Sequence, residues 1–136
     1  MTAKTLYSGK THNVGGANGS TRSADGFLDL QLPQPHPAAE NLFGAAWSAC
    51  FIAAIGAAAA EKKVALAQTP TIDATIDLLL DGSGYFLRAK LDATVPGIDI
   101  ELARELVERA HEICPYSKAT RGNIEVEVNV LEPAFA

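Results

Sequence analysis

No charged residue occurs between Glu40 and Glu61. This run, Asn41 to Ala60, constrains the fold more than any other stretch. It is long enough to cross a bilayer, which takes about 20 apolar residues. Yet alanine fills nearly half of it, and Asn41, Gly44, Ser48 and Gly56 interrupt it. Its hydrophobicity is low for a membrane span. The expectation is a central helix of a soluble protein, starting near Ala38 to Asn41 and ending about Lys63. Ala, Leu, Glu and Lys favour that helix, whereas Gly44 and Gly56 cost propensity but permit close packing. A helix apolar all round needs cover on more than one face.

The rest of the chain supplies strands and amphipathic helices. Thr2 to Thr11 reads as a first strand. Gly15-Gly16-Ala17-Asn18-Gly19 is a turn signal. Ser20 to Ala24 forms a short strand, Asp25-Gly26 a tight turn, and Phe27 to Leu32 a third strand. Pro33-Gln34-Pro35-His36-Pro37 is a stiff connector that no strand interior accepts. Beyond the long helix, Thr71 to Leu78 alternates as a strand. Asp81-Gly82-Ser83-Gly84 turns the chain, and Tyr85 to Thr94 returns. Asp99 is placed to cap a helix from Ile100 to about Ile113, with Leu102, Leu106, Ala110 and Ile113 as its buried stripe. Pro115 starts a short helix ending at Gly122. Ile124 to Val130 is the last strand. The order βββ-α-ββ-αα-β predicts one α+β domain over residues 1–136. One three-stranded sheet cannot cover the long helix, so a second sheet is required, from the same chain or a partner. Homodimerisation is expected on these packing grounds.

The chain has 136 residues and a net charge of −5. It has no run of Lys or Arg, which argues against nucleic-acid binding. The N-terminal stretch lacks the apolar core of a signal peptide, so the expected location is cytoplasmic.

Two cysteines remain as the chemistry-bearing residues. Stable structural disulfides are uncommon in the cytosol, which leaves a catalytic, redox-active or inert pair. Cys50 lies within the apolar helix and gains little from its dipole. It needs a cation from another segment to become reactive, and otherwise it is a small core residue. Cys114 precedes Pro115 at a helix start, a better local field for a thiolate. Local chemistry therefore favours Cys114 as the lower-pKa thiol. A metal site of Cys50, Cys114 and His111 lacks any Cys-x-x-Cys or His-x-x-x-His pair, so no metal is expected. No nucleophile elbow or phosphate-binding glycine loop is present.

The segment from Glu40 to Ile52, with Trp47-Ser48-Ala49-Cys50 at its centre, resembles the first cysteine motif of the organic hydroperoxide resistance proteins, a branch of the OsmC family. His111-Glu112-Ile113-Cys114-Pro115-Tyr116-Ser117-Lys118-Ala119-Thr120-Arg121-Gly122-Asn123 is similar to their second motif. Leu6-Tyr7, Gly15-Gly16, Asp25-Gly26 and Val95-Pro96-Gly97 fit as well. The likeness runs over nearly the whole chain.

The resemblance implies an OsmC-like intertwined homodimer with sites at the subunit interface. It implies a thiol peroxidase acting on organic and lipid hydroperoxides. By this likeness Cys50 attacks the peroxide and becomes a sulfenic acid, and Cys114 condenses with it to a disulfide. That reverses the local reading of which thiol reacts. It also implies recycling by a dihydrolipoyl group on a partner protein, with no bound cofactor. The family's catalytic glutamate corresponds to Glu40. Ten residues of helix rise about 15 Å, so Glu40 and Cys50 of one straight helix cannot meet. Either Glu40 lies on a lead-in that folds back, or it serves the partner's cysteine. Glu40 at a helix start is otherwise simply favourable to the dipole.

Two departures stand out. The family's arginine directly follows the Gly-Gly pair, where this chain has Ala17. Arg22 is the nearest replacement, or else an exposed strand residue. The connector before Glu40 also differs. Phe43, Trp47, Phe51 and Ile52 serve either as a pocket for an alkyl chain or as core. Loss of the arginine leaves a rival reading, a dimeric binding or sensing protein without turnover.

Overall fold

The computed structural model describes residues 2–34 and 38–133. Pro35, His36 and Pro37 of the expected stiff connector lie outside the described residues. Two compact units follow one another, Met1–Ala39 and Glu40–Ala136.

The first unit is a meander of β1 (Thr11–Val14), β2 (Ser20–Ser23) and β3 (Asp29–Gln31). The strands pair antiparallel in the order β1-β2-β3. The turn at Gly15 to Gly19 closes with a bond from Gly19 N–H to the Gly16 carbonyl, 3.0 Å. A Cβ on Gly19 would lie 2.2 Å from the Leu32 carbonyl oxygen, so only glycine fits there. The expected first strand is corrected. It begins at Thr11, where the Thr2 to Thr11 reading had it end. Strand structure needs a neighbour, and the last pairing bond on this side joins Ala24 N–H to the Lys10 carbonyl. Leu6 and Tyr7 are exposed instead.

The second unit holds α1 (Ala38–Glu61), β4 (Thr71–Asp81), β5 (Gly84–Thr94), α2 (Ile100–Ile113), α3 (Pro115–Thr120) and β6 (Glu125–Leu131). The mixed α+β order matches the sequence reading element for element. β4 and β5 form an antiparallel hairpin, with Ile76 opposite Ala89. β6 joins β5 in parallel, with Val128 opposite Leu91. Parallel neighbours need a crossover connection, and α2 with α3 provides it.

The core lies between α1, α2 and one face of this sheet. α1 contributes Trp47, Phe51, Ala54, Ile55, Ala58 and Ala59 at helical spacing. β5 contributes Ala89, Leu91 and Ala93, while Val126, Val128 and Val130 of β6 close the edge. The expected α2 stripe is rotated slightly. Ala103, Leu106, Val107 and Ala110 are buried, and Leu102 and Ile113 flank them half-buried. Each fully buried Leu, Ile or Phe contributes about 1.5–3 kcal/mol. Asp99 caps α2 as expected, its carboxylate accepting from Glu101 N–H at 3.2 Å.

The two glycines of α1 divide its faces. Gly44 is buried, and a Cβ there would meet Ile76 Cγ1 at 3.3 Å and Ala74 Cβ at 3.4 Å. It sets the close approach of α1 to β4. Gly56 has nothing within 4 Å of its would-be Cβ. It lies with Ala45, Ala46, Ala49, Ala53, Ala57 and Ala60 on an exposed face. By length and composition α1 could cross a membrane. Its opposite face, however, carries Trp47, Phe51 and Ile55, all completely buried in the core.

Candidate active site

Proline dictates the corner that carries Cys114. The residue before a proline is steered away from helical backbone. Cys114 accordingly has φ −62° and ψ 122°, ending α2 and capping α3 at once. Its N–H donates to the Ala110 carbonyl at 2.8 Å, completing α2. Its carbonyl accepts from Lys118 N–H at 3.0 Å, opening α3. The side chain turns inward and is completely buried.

Cys50 sits on α1, half-buried, and both cysteines are free thiols. Cys114 lies close enough to Cys50 to act on its thiol. The structure thus brings together the residues expected to form the redox pair. The start of α3 also acts on Cys50. The first amides of a helix have no intrahelical acceptor. Pro115 has no N–H, and that of Tyr116 acts on the Cys50 thiol.

The electrostatics of Cys50 follow from its neighbours. Burial pushes its pKa up, and the adjacent Cys114 pushes it further. The Tyr116 N–H works the other way by favouring the thiolate. Among the described residues, no cation is counted among the groups acting on this sulfur.

Glu40 occupies the first turn of α1. It is helical, so the folded-back lead-in is ruled out. Glu40 and Cys50 of one chain are about 15 Å apart along the axis. Arg22 lies on β2, where its Nη2 donates to Asp29 Oδ2 at 3.3 Å across an exposed pair of strands. Trp47 and Phe51 are core residues of this chain, and Phe43 meets Trp47 edge-on at 5.8 Å. Phe43 and Ile52 are half-buried. The groove on the outer sheet face, lined by Asp77, Arg88, Lys90 and Glu127, is charged and holds neither thiol.

The sequence reading passed over a polar cluster beside the pair. Trp47 Nε1 donates to Ser117 Oγ at 3.1 Å, and His111 Nδ1 lies 2.8 Å from the same oxygen. Burial pulls the His111 pKa down, and the Arg121 guanidinium pulls it further. His111 turns Nδ1 to Ser117, not to either sulfur. Arg121 donates to the His111 carbonyl, anchoring the end of α3 on α2. A buried indole needs an acceptor for its single N–H. That need was the available signal for a partner to Trp47.

The OsmC-like protein family matches residues 32–129, which include both cysteines and the corner between α2 and α3. The chain belongs to the OsmC-like family. An OsmC-like relative from Xanthomonas axonopodis pv. citri, named organic hydroperoxide resistance protein, is 36% identical over 93% of this chain and 96% of its own length. The organic hydroperoxide resistance protein of Elizabethkingia anophelis has the same fold, with a TM-score of 0.86, 35% identity, and coverage of 96% of this chain and 100% of that one. The OhrB protein of Bacillus subtilis superposes with a TM-score of 0.83 at 36% identity, over 93% of this chain and 100% of its own. Family membership at this level supports a peroxidase-type redox role.

Proposed function

We propose that this protein is a cysteine-based peroxidase that reduces organic hydroperoxides to alcohols. The observation that carries the reading is that a fully buried Cys114 lies close enough to a half-buried Cys50 to act on its thiol. The more accessible thiol is suited to attack, and the enclosed one to resolution. The Cys50 thiolate attacks the distal peroxide oxygen. The O–O bond breaks, a proton completes the alcohol, and Cys50 becomes a sulfenic acid. The Cys114 sulfur then displaces hydroxide, which leaves as water with the Cys114 proton, and an S–S bond forms. A dithiol of the dihydrolipoyl type on a partner protein restores both thiols by exchange. A cytoplasmic setting, where such a pair stays reducible, fits this chemistry.

The working unit is a homodimer. The exposed Ala and Gly face of α1 supports this, because small residues let a second helix approach closely. In that dimer Glu40 serves as the orienting carboxylate for the partner's thiol, because its own lies too far along α1.

One equivalent of cumene hydroperoxide tests the reading. Mass spectrometry should find both thiols lost and the mass lower by two hydrogens. Thiols that survive would sink it. Cys50→Ser should abolish peroxide consumption. If Cys114→Ser abolishes it and Cys50→Ser does not, the roles are reversed. A second reading, a dimer that binds an apolar ligand without turnover, draws on the raised pKa of Cys50. Unreacted thiols would favour it.

A further inference from the structure

The buried polar cluster lies one helical turn from both sulfurs. Trp47 precedes Cys50 by three residues on α1. His111 precedes Cys114 by three on α2, and Ser117 follows Cys114 by three on α3. Residues three apart share a helix face. Ser117 Oγ is the point where the three helices meet by side-chain hydrogen bonds.

The donor count fixes the first link of this chain. Indole N–H can only donate, so Ser117 Oγ accepts from Trp47. The Ser117 hydroxyl is then free to donate, and His111 Nδ1, 2.8 Å away, accepts from it when that nitrogen carries no proton. That requires a neutral His111 with its proton on Nε2. The burial and the neighbouring Arg121 that disfavour the imidazolium agree with this state. The Phe51 ring, next in sequence to Cys50, packs tilted against the His111 ring with centroids 6.0 Å apart. Ser117 and Trp47 are completely buried, so no water competes for the chain.

We propose that Trp47, Ser117 and His111 are positioning residues that hold α1 and the Cys114 corner in the register needed for disulfide formation. The proposal rests on the peroxidase reading given above. The cluster touches no substrate. It acts on the second step, in which the Cys114 sulfur must align with the S–O bond of the Cys50 sulfenic acid. The first step uses Cys50 and the orienting Glu40 but not Cys114, so the cluster leaves it untouched.

The two steps separate in a single-turnover experiment. Cumene hydroperoxide is mixed with reduced protein, a dimedone-type diketone traps sulfenic acid, and mass spectrometry follows disulfide. In Ser117→Ala, peroxide consumption should keep its wild-type rate. Disulfide formation should slow by about tenfold or more, as loss of alignment does, with trapped sulfenic acid rising in proportion. Ser117→Thr keeps the hydroxyl and should restore the fast second step. Trp47→Phe removes the indole donor while keeping an aromatic core residue, and it provides the same test if Ser117→Ala does not fold. Equal slowing of both steps, or unchanged disulfide formation in a folded variant, would overturn the proposal. Wild-type protein run alongside keeps the cases apart. If its thiols ignore peroxide, the peroxidase reading itself fails.

Discussion

The backbone N–H of Tyr116, at the start of α3, favours the thiolate of Cys50 on α1. A proline-started helix and a mid-helix cysteine are thereby coupled through a backbone group that no side-chain substitution removes. This amide favours the thiolate, yet burial and Cys114 outweigh it, and the Cys50 pKa ends above its ordinary value.

The sign of the pH dependence follows. The thiolate is the nucleophile, and an ordinary thiol titrates near ~8.5. Peroxide consumption should rise about tenfold per pH unit from neutrality to beyond that value. Cys114→Ala removes a group that raises the Cys50 pKa, so the profile should move to lower pH. Stopped-flow rates across pH check both. A plateau already reached at neutral pH would contradict the account.

Ala17 stands where the resemblance places an arginine. A guanidinium near a thiolate lowers its pKa, and each unit is worth about tenfold in thiolate below the pKa. Ala17→Arg should therefore raise the neutral-pH rate of Cys50 alkylation by iodoacetamide, together with peroxide consumption. If neither moves, position 17 has no access to the sulfur.

Ala53 lies on the exposed small-residue face of α1. In the proposed dimer, an arginine there would bury a charge in a helix–helix contact. Ala53→Arg should give a folded monomer by light scattering with unchanged circular dichroism. A dimer of undiminished affinity would place the interface elsewhere.

Glu40 and Cys50 share one straight helix, which makes subunit complementation decisive. Glu40→Gln and Cys50→Ser should each have low activity. Unfolded and refolded together, they form heterodimers in which a Cys50 faces an intact Glu40 from the other chain. Peroxidase activity should reappear in the mixture. No recovery would mean that Glu40 does not act across the dimer.

His111 sets a stability window. Its folded pKa lies below the ordinary histidine value of about 6.5, so the unfolded chain binds more protons near that pH. The stability linked to His111 is present above that pH and is lost as pH falls through it. The charge acting on it is the Arg121 guanidinium, which also donates to the His111 carbonyl. In His111→Asn the drop in urea midpoint between about pH 7.5 and pH 5.5 should shrink relative to wild type. An equal drop in both proteins would remove His111 as the cause.

The second unit was legible because its signals are local. Alternation in β4 and β6, the Asp99 cap and Pro115 each act over a few residues. The stretch from Thr2 to Lys10 reads as a strand by the same rule, but a strand exists only where another pairs with it, and alternation carries no information about the neighbour. The cysteine pair was legible only through the family motif, since local chemistry favoured Cys114 as the reactive thiol. The Trp47–Ser117–His111 cluster stayed hidden because its members come from three helices. Nothing in the spacing of Trp47 and Ser117 announces that an indole and a hydroxyl will meet.

The parallel docking of β6 on β5 has a consequence for biosynthesis. The β4–β5 hairpin forms from adjacent sequence, whereas β6 must wait for α2 and α3 to cross over. Cys114 rides on that crossover. A nascent or truncated chain therefore exposes Cys50 before its partner is held in place. Peroxide met at that stage would carry the lone sulfur toward irreversible over-oxidation. On the peroxidase reading, redox competence would come only once that crossover has docked β6 on β5.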